Sequence, residues 1–410
     1  MSTQQKKIVV VGTLDTKFPE MGFIKNFIKE KGHEPIIIDA GIIGTVPFTP
    51  EISRDKVAEA AGMTLKDIHA LDDEGKAIAL MAQGAYKIVR DLYEKDRVDA
   101  IISVGGSMGT SLGLAVMKEL PIGLPKLMVS TIAVSPMVTT DLVAKDQVMM
   151  QVPVDLWGLN VINTKTLQAA ASAIVGMAET ATKIVPEKPM VAVTTRGHMK
   201  YANWIKPALE AKGYEVVVIH CNGKLGGGTF EILVRQGLFA AVLDFCIGGV
   251  IEELCGGTLK EGPTRLEGAG DMGIPQIVAP GSMQYWHWPG SFESIPAWRK
   301  PHYHNPLILC VKATKEEMIR GAEVMAEKLN RAKGPVTVLY PWKGFDNFDR
   351  EVGGLAGGIY YDPEGHVIFL EALKKNLKPA IEIIELDMHI NEQEFAEYVI
   401  ANFDKLIKKA

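Results

Sequence analysis

The sequence predicts an α/β protein built as two Rossmann-like, doubly wound lobes with mainly parallel sheets. Three observations carry this prediction. Runs such as Ile8–Val11 and "PIIID" at 35–39 are apolar on both faces, as strands are when helices cover both sides of a parallel sheet. Segments with helical spacing of apolar residues alternate with these runs. The pattern then restarts after "VPEKP" at 185–189, where "KPMVAVTTRGHMKYANWIKPALEAKGYEVVVIHCNG" mirrors "KKIVVVGTLDTKFPEMGFIKNFIKEKGHEPIIIDAG". The lobes are expected at 1–186 and 187–410, the second closing with a C-terminal helix.

Taken in order, Ile8–Val11 is a β-branched strand, and Gly12–Lys17 is a turn. Residues 18–31 form a helix with Met21, Ile24, Phe27 and Ile28 in register, ended by Gly32. Residues 51–95 are polar and helical, and "DEGKAIALMAQGAYKIVRDLYEKD" gathers Ala77, Leu80, Met81, Ile88, Leu92 and Tyr93 near one face. A strand at 99–104 breaks at "GGSMGT" and restarts as a helix; "PKLMVSTIA" is a strand and "NTKTLQAAASAIVGMAETATKIV" a long helix. In the second half, "AAVLDFCIGGVIEELCGG" echoes "DAIISVGGSMGTSLG", and "MGIPQIVAPGSM" echoes "IGLPKLMVSTIA". Residues 281–306 hold Trp286, Trp288 and Trp298 beside Tyr285 and Tyr303, give few helix or strand signals, and read as a long functional or interface loop. Residues 316–331 are a helix, "GPVTVLYP" a strand, and "NEQEFAEYVIANFDKLIKKA" a capped amphipathic helix.

Composition narrows the class. Apolar residues make up 47% and charged residues 23% of 410, the balance of a globular protein. A net charge of −5 offers no basic footprint for nucleic acid and no polybasic membrane patch. Cys221, Cys246, Cys255 and Cys310 contain no CxxC pair and make no disulfide scaffold, so a reduced, cytoplasmic protein is expected. Cys246 and Cys255 read as small buried apolar residues. The N-terminus reads as a first strand, not a signal peptide, and no apolar run approaches the ~20 residues of a membrane span.

Ligands of open parallel sheets lie beyond the carboxyl ends of the strands. Gly12–Lys17 and Gly105–Thr110 each follow a strand and precede a helix there. In "GGSMGT" the glycines free backbone N–H groups to face an anion, with Ser107 and Thr110 as added donors. "GTLDTK" reads equally as an ordinary helix cap or as a site in which Lys17 touches a phosphate and Asp15 a Mg²⁺-bound water. Neither loop is a Walker P-loop. Asp141, Asp146 and Asp155, at the opening of the long helix, are weaker candidates for the same crevice. In the second half, Thr194, Thr195 and Arg196 suit an anion, with His198 close behind. Asp244, Glu252 and Glu253 stand near another strand end, with Arg265 and Glu267 on the following helix. His287 is followed by His302 and His304, which share a face if they lie on a strand and could then ligate a metal or serve as acid/base.

"VGTLDTK" (11–17), "GGSMGT" (105–110), "LNVINTKTLQAAASAIVGM" (159–177), "TTRG" (194–197), "RLEGAGDMGIPQIVAPGSM" (265–283), "HNP" (304–306), "AEKLNRAKGPV" (326–336) and "DMHIN" (387–391) form an ordered set over nearly the whole chain. In this set the chain resembles the ATP-binding family related to the N-terminal region of the tomato mosaic virus resistance protein. The resemblance implies two Rossmann-like lobes, ATP with Mg²⁺ in the first, and self-association as a homodimer or higher homo-oligomer. By position it places the nucleotide loops on Gly12, Thr13, Asp15, Thr16 and Lys17, and on Gly105, Gly106, Ser107, Gly109 and Thr110. It supplies no reaction. "DFCIGGVIEEL" and the Trp- and His-rich stretch at 284–306 depart from the family pattern. The leading expectation is an enzyme acting on a small acidic metabolite between the lobes. The alternatives are a non-catalytic ATP-dependent module and an ATP-independent hydrolase or lyase acting on a phosphorylated or carboxylated metabolite.

Overall fold

The computed structural model describes residues 4–46, 48–143, 145–197, 199–306, 308–351 and 358–408. The chain divides into two compact units, residues 1–184 and 185–410.

Unit 1 opens with β1 (Lys7–Gly12), α1 (Leu14–Glu30) and β2 (Glu34–Asp39). It continues through α2 (Arg54–Ala61), α3 (Leu65–His69), α4 (Glu74–Glu94), β3 (Ala100–Gly105) and α5 (Ser107–Lys118) to β4 (Lys126–Ser130), β5 (Gln147–Gln151) and α6 (Val161–Thr180). Its five strands are all parallel, in the order β2-β1-β3-β4-β5. Ile8, Val9, Val10 and Val11 have no exposed surface, because helices cover both faces. One core layer joins Val9 and Val11 to Val57, Met81 and Val89 of α2 and α4; the other joins Ile8 and Val10 to Ile24, Leu167 and Ile174 of α1 and α6.

Unit 2 begins with β6 (Met190–Thr195), α7 (Ala202–Ala211), β7 (Glu215–His220), α8 (Gly227–Arg235) and β8 (Phe239–Asp244). Then come α9 (Gly249–Cys255), α10 (Gly268–Asp271), β9 (Gln276–Val278), β10 (Tyr285–His287), β11 (Pro301–Asn305) and β12 (Ile308–Lys312). It ends with α11 (Lys315–Leu329), β13 (Val336–Pro341), α12 (Pro363–Asn376), β14 (Glu382–Leu386) and α13 (Gln393–Lys408). The main sheet is parallel, in the order β14-β13-β9-β8-β6-β7. Reading the first strands of each unit, β1, β2, β3, β4 and β6, β7, β8, β9 take the same places, so the expected doubly wound fold is present twice.

Three expectations are corrected. Residues 281–306 are not a single loop: β10 and β11 flank β12 in a separate antiparallel sheet. Asp141 and Asp146 do not open a helix, because β5 lies between them and α6. Arg265 and Glu267 precede α10 rather than lying on it. Strands of three to five residues that are partly exposed throughout, like β5 and β11, or buried throughout, like β10, show no period of two.

Candidate functional site

In each main sheet the strand order reverses between the first and third strands, β1/β3 in unit 1 and β6/β8 in unit 2. Such a reversal opens a crevice at the strands' carboxyl ends.

At the unit 1 switch the two loops behave differently. Thr13 caps α1 without a side-chain bond, but Asp39 at the end of β2 accepts from Leu14 N at 3.1 Å and from Gly41 N at 2.9 Å. Asp15 Oδ2 accepts from Ile42 N and Ile43 N at 3.0 and 3.1 Å, which ties the loop after β2 to α1. Thr13 and Thr16 bond each other through their hydroxyls at 2.9 Å. Lys17 does not stand over a phosphate: Nζ donates to the Leu156 carbonyl at 2.6 Å, and Lys17 itself is non-helical (φ −122°), kinking α1 two residues before Pro19.

The "GGSMGT" loop divides by residue. A Cβ on Gly105 would lie 2.6 Å from Gly109 Cα, so this pair serves the close approach of α5 to β3. Thr110 is buried, its hydroxyl 2.6 Å from that of Ser130. Gly106 and Ser107 are the open pair. A Cβ on Gly106 meets only Thr131 Oγ1, at 3.8 Å, and Ser107 is exposed. Gly106 caps the 12-residue α5 and has no side chain to satisfy its first N–H groups.

A cavity of about 470 Å³ touches both loops, lined by Thr13, Asp15 and Thr16, by Met108, by Ile43, Ile68 and Ile78, and by Asp72, Asp73 and Glu74. A neighbouring cavity of about 410 Å³ shares Ile42, Ile43 and His69 with it and is lined by Arg54. Arg54 Nε pairs with Asp39 at 2.7 Å, while Nη2 is buried without a partner. The candidate aspartates lie elsewhere. Asp146 accepts from buried Lys126 Nζ at 2.8 Å and from Gly123 N at 2.7 Å, at the amino end of β4, away from the glycine loops. Asp155 accepts from its neighbour, Leu156 N, at 2.8 Å. Asp141 sits in the connection from β4 to β5.

At the unit 2 switch the structure gathers a buried charged cluster. Thr194 Oγ1 donates to Asp244 Oδ1 at 2.8 Å and accepts from Cys246 N at 3.0 Å. Arg265 bonds both oxygens of Asp244 at 2.5 and 2.6 Å and Glu261 at 2.6 Å. Burial pushes the Glu261 carboxyl up to about 7 against the pull of Arg265 and Arg196. Cys246 lies inside this polar cluster rather than in purely apolar surroundings, its Sγ 3.9 Å from Ser282 Oγ. Arg196 is 5% exposed; Nε donates to the Cys221 carbonyl and Nη1 to Tyr285 Oη, both at 3.0 Å, and Nη2 has no partner. Thr195 turns its hydroxyl to the Arg196 carbonyl, 3.0 Å away. His198 lies outside the described residues.

Glu252 accepts from the His287 backbone and bonds its Nδ1, while burial holds the His287 imidazole below its usual range. Glu253 is the next residue of α9, and Glu267 pairs with Lys328 and Arg331. His302 and His304 do lie on one strand, β11, and both pack on Phe348, at 5.4 and 5.8 Å between ring centroids. Partial burial, with His304 nearby, keeps His302 below its usual range. Among the described residues no group of three or more His, Cys, Asp or Glu could hold a metal ion. Sequence reading missed Gly248, Glu261, Ser282 and Tyr360. The echo between "GGSMGT" and "CIGGV" could have flagged Gly248, the glycine cap of α9 as Gly106 is of α5. No helix of the described residues is long and apolar enough to cross a membrane.

The fold and these crevices define a two-unit, doubly wound α/β protein with a glycine-capped helix at each strand-order switch. The chain belongs to the uncharacterised protein family UPF0261: the model of its N-terminal domain matches residues 6–183 and that of its C-terminal domain 188–407. It is 38% identical over 410 residues to a UPF0261 protein of Brucella suis biovar 1, covering 99% of this chain and 96% of that one. Identity to a UPF0261 protein of Clostridium tetani is 39% over 409 residues, covering 98% of each. The ToMV resistance protein Tm-1(GCR237) of Solanum lycopersicum is a more distant homologue, 28% identical over 440 residues, covering all of this chain and 57% of that protein. Among solved structures, the glycosyltransferase SnogD from Streptomyces nogalater aligns over 97% of this chain and 99% of that one at 10% identity, with a TM-score of 0.24, too low to carry an argument.

Proposed function

We propose that unit 1 binds ATP with Mg²⁺ at the β1/β3 switch and that the chain is an enzyme acting on a small acidic metabolite. The observation that supports the nucleotide reading is the open Gly106–Ser107 start of α5, whose next residue, Met108, lines the cavity that Thr13, Asp15 and Thr16 also line. A helix N-terminus without its own cap supplies N–H donors and a positive dipole end to a phosphate. The isoleucine lining suits a base, and the unpartnered Arg54 Nη2 adds a cationic donor. Mg²⁺ would be the triphosphate's counter-ion, with Asp15 holding its water through the oxygen not used by Ile42 and Ile43. Lys17 has no part in this reading, since its ammonium is bound to Leu156.

The test is calorimetric unfolding with and without Mg-ATP, on wild type and Gly106→Asp. The variant's side chain has room, and its charge opposes a phosphate. A ligand at ~100 times its dissociation constant adds ~2.7 kcal/mol. The expected outcome is a raised midpoint in wild type and none in a folded Gly106→Asp. No rise at millimolar Mg-ATP rejects the nucleotide. ATP consumption that appears only on adding a metabolite separates an enzyme from a binding module.

The unit 2 cluster favours a second reading, an ATP-independent hydrolase or lyase, because charged groups gather at that switch as well. Binding of a carboxylated metabolite with no effect of ATP would select it.

A further inference from the structure

We propose that the edge of the unit 1 sheet, strand β5 with the apolar surface around it, is an interface for a second copy of this chain. The inference needs no ligand and goes beyond the reading above.

The sheet sets the geometry. β5 pairs with β4 on one side, and among the described residues no strand pairs with the other. A bare edge strand offers its N–H and C=O groups to another chain, and proteins blunt such edges with lysine, proline or bulges. β5 has the sequence "QVMMQ", with no charge and no proline. Nothing in its side chains opposes pairing.

The surface beside this edge is strongly apolar. Trp157 is 89% exposed, Val134 83% and Val161 79%, and Met137, Val148 and Ile162 are exposed with them. Hydrogen bonds hold these residues to the one edge. Val134 N donates to Gln151 Oε1 at 3.3 Å, and Gln151 Nε2 donates to the Thr131 carbonyl at 2.8 Å, which pins the connection from β4 to the carboxyl end of β5. Asn160 caps α6, and Asn163 Nδ2 donates to the Gly158 carbonyl at 2.8 Å. Trp157 thus stands on a tied turn between β5 and α6 rather than on a loose loop. Contiguous apolar side chains held out on ordered backbone mark an interaction surface.

Charge and area select the occupant. From Gln147 to Ile162 the only ionisable side chain is Asp155, and its Oδ1 accepts from Leu156 N. A partner recognised by charge finds little to pair with, whereas two copies of this patch do not repel each other. Six exposed apolar side chains, the strand edge and the turns that carry them approach the ~800 Å² a side of a standard interface. Under a twofold axis two β5 strands meet antiparallel, the self-complementary arrangement, and the two five-stranded sheets join into one. Trp157 of each copy is the aromatic anchor.

The test is sedimentation of the full chain without nucleotide, from about 1 to about 100 μM, a range that reaches the weak end of standard interfaces. The variants are Trp157→Asp, Val161→Glu and Val148→Lys. All three side chains are exposed, and a glutamate at the start of α6 suits the helix dipole, so the fold is kept; circular dichroism and thermal unfolding check it. The expected result is a wild-type dimer whose dissociation constant rises roughly 100-fold or more in Trp157→Asp. It also rises in Val161→Glu and Val148→Lys, where like charges meet across the axis. If Trp157→Asp fails to fold, Val161→Glu carries the comparison. A wild type that stays monomeric at the highest concentration overturns the proposal and gives the patch to an occupant other than a second copy. A dimer that survives both Trp157→Asp and Val161→Glu overturns it too, since its interface lies on another face. Weakening in those two with none in Val148→Lys removes the strand edge from the interface.

Discussion

Glu261 is buried beside Arg265, and burial outweighs that partner, lifting its carboxyl from 4.5 to about 7. Between these values the folded protein keeps a proton that the unfolded chain releases. Stability contributed by this group is therefore fully present below pH 4.5 and falls as pH rises towards 7, by at most ~1.4 kcal/mol per pH unit. Glu261→Gln keeps an acceptor for Arg265 Nε and removes the titration. It is expected to flatten the pH 5–7 slope of denaturant stability and to exceed wild type at pH 8 by up to roughly 3 kcal/mol. Parallel pH profiles for the two proteins would reject this. At this scale the sequence was only half legible. Arg196 and Asp244 were visible because they follow β-branched runs in the copy of a loop already read in the first half. Glu261 and Tyr360 were not, and Tyr285 was read only as part of an aromatic loop, because their importance comes from chain segments far apart in sequence that meet only on folding, as Arg196 and Tyr285 do across 89 residues.

Among elements, α11 is set by a local code. Thr314 accepts from Glu317 N at 3.1 Å and Glu317 returns to Thr314 N at 2.9 Å, a capping box that also holds Arg299 through the same glutamate. Thr314→Ala is expected to cost ~1 kcal/mol in unit 2, read by tryptophan-monitored urea unfolding; an unchanged midpoint would show the box to be idle. Long helices were legible because twelve or more residues average out single exceptions, as at α4, α6 and α11, and central strands because they are near-continuous runs of buried apolar residues, as at β1 and β3. The edge strand β5 and the β10-β12-β11 sheet escaped notice. β5 is partly exposed and, among the described residues, unpaired on one side, and β10 has three residues, all buried, so neither alternates. The kink at Lys17 has the same character: "GTLDTK" looks like a cap because it forms one turn of its own before the main helix.

For the whole molecule, each unit encloses its own cores, and residues 182–189 between the last helix of one and the first strand of the other are exposed and without regular structure. Lys183 lies in that stretch ahead of Ile184 and is its tryptic site, whereas Lys188 is shielded by the following Pro189. Brief trypsin treatment is expected to cut there first and leave two protease-resistant fragments, measured by mass. Early cuts inside α4 or α11 would contradict it. The shared strand order has a further consequence, a historical one. A chain of about half this length, with one parallel sheet and one crevice at its strand-order switch, is what the two units have in common. Doubling such a chain relieves one copy of its old duty. One copy then keeps a mouth lined by bare backbone at Gly106, while the other is free to acquire a fixed cation at Arg196. Descent from a single ancestor would thus account for one strand order carrying two chemically unlike crevices in one polypeptide.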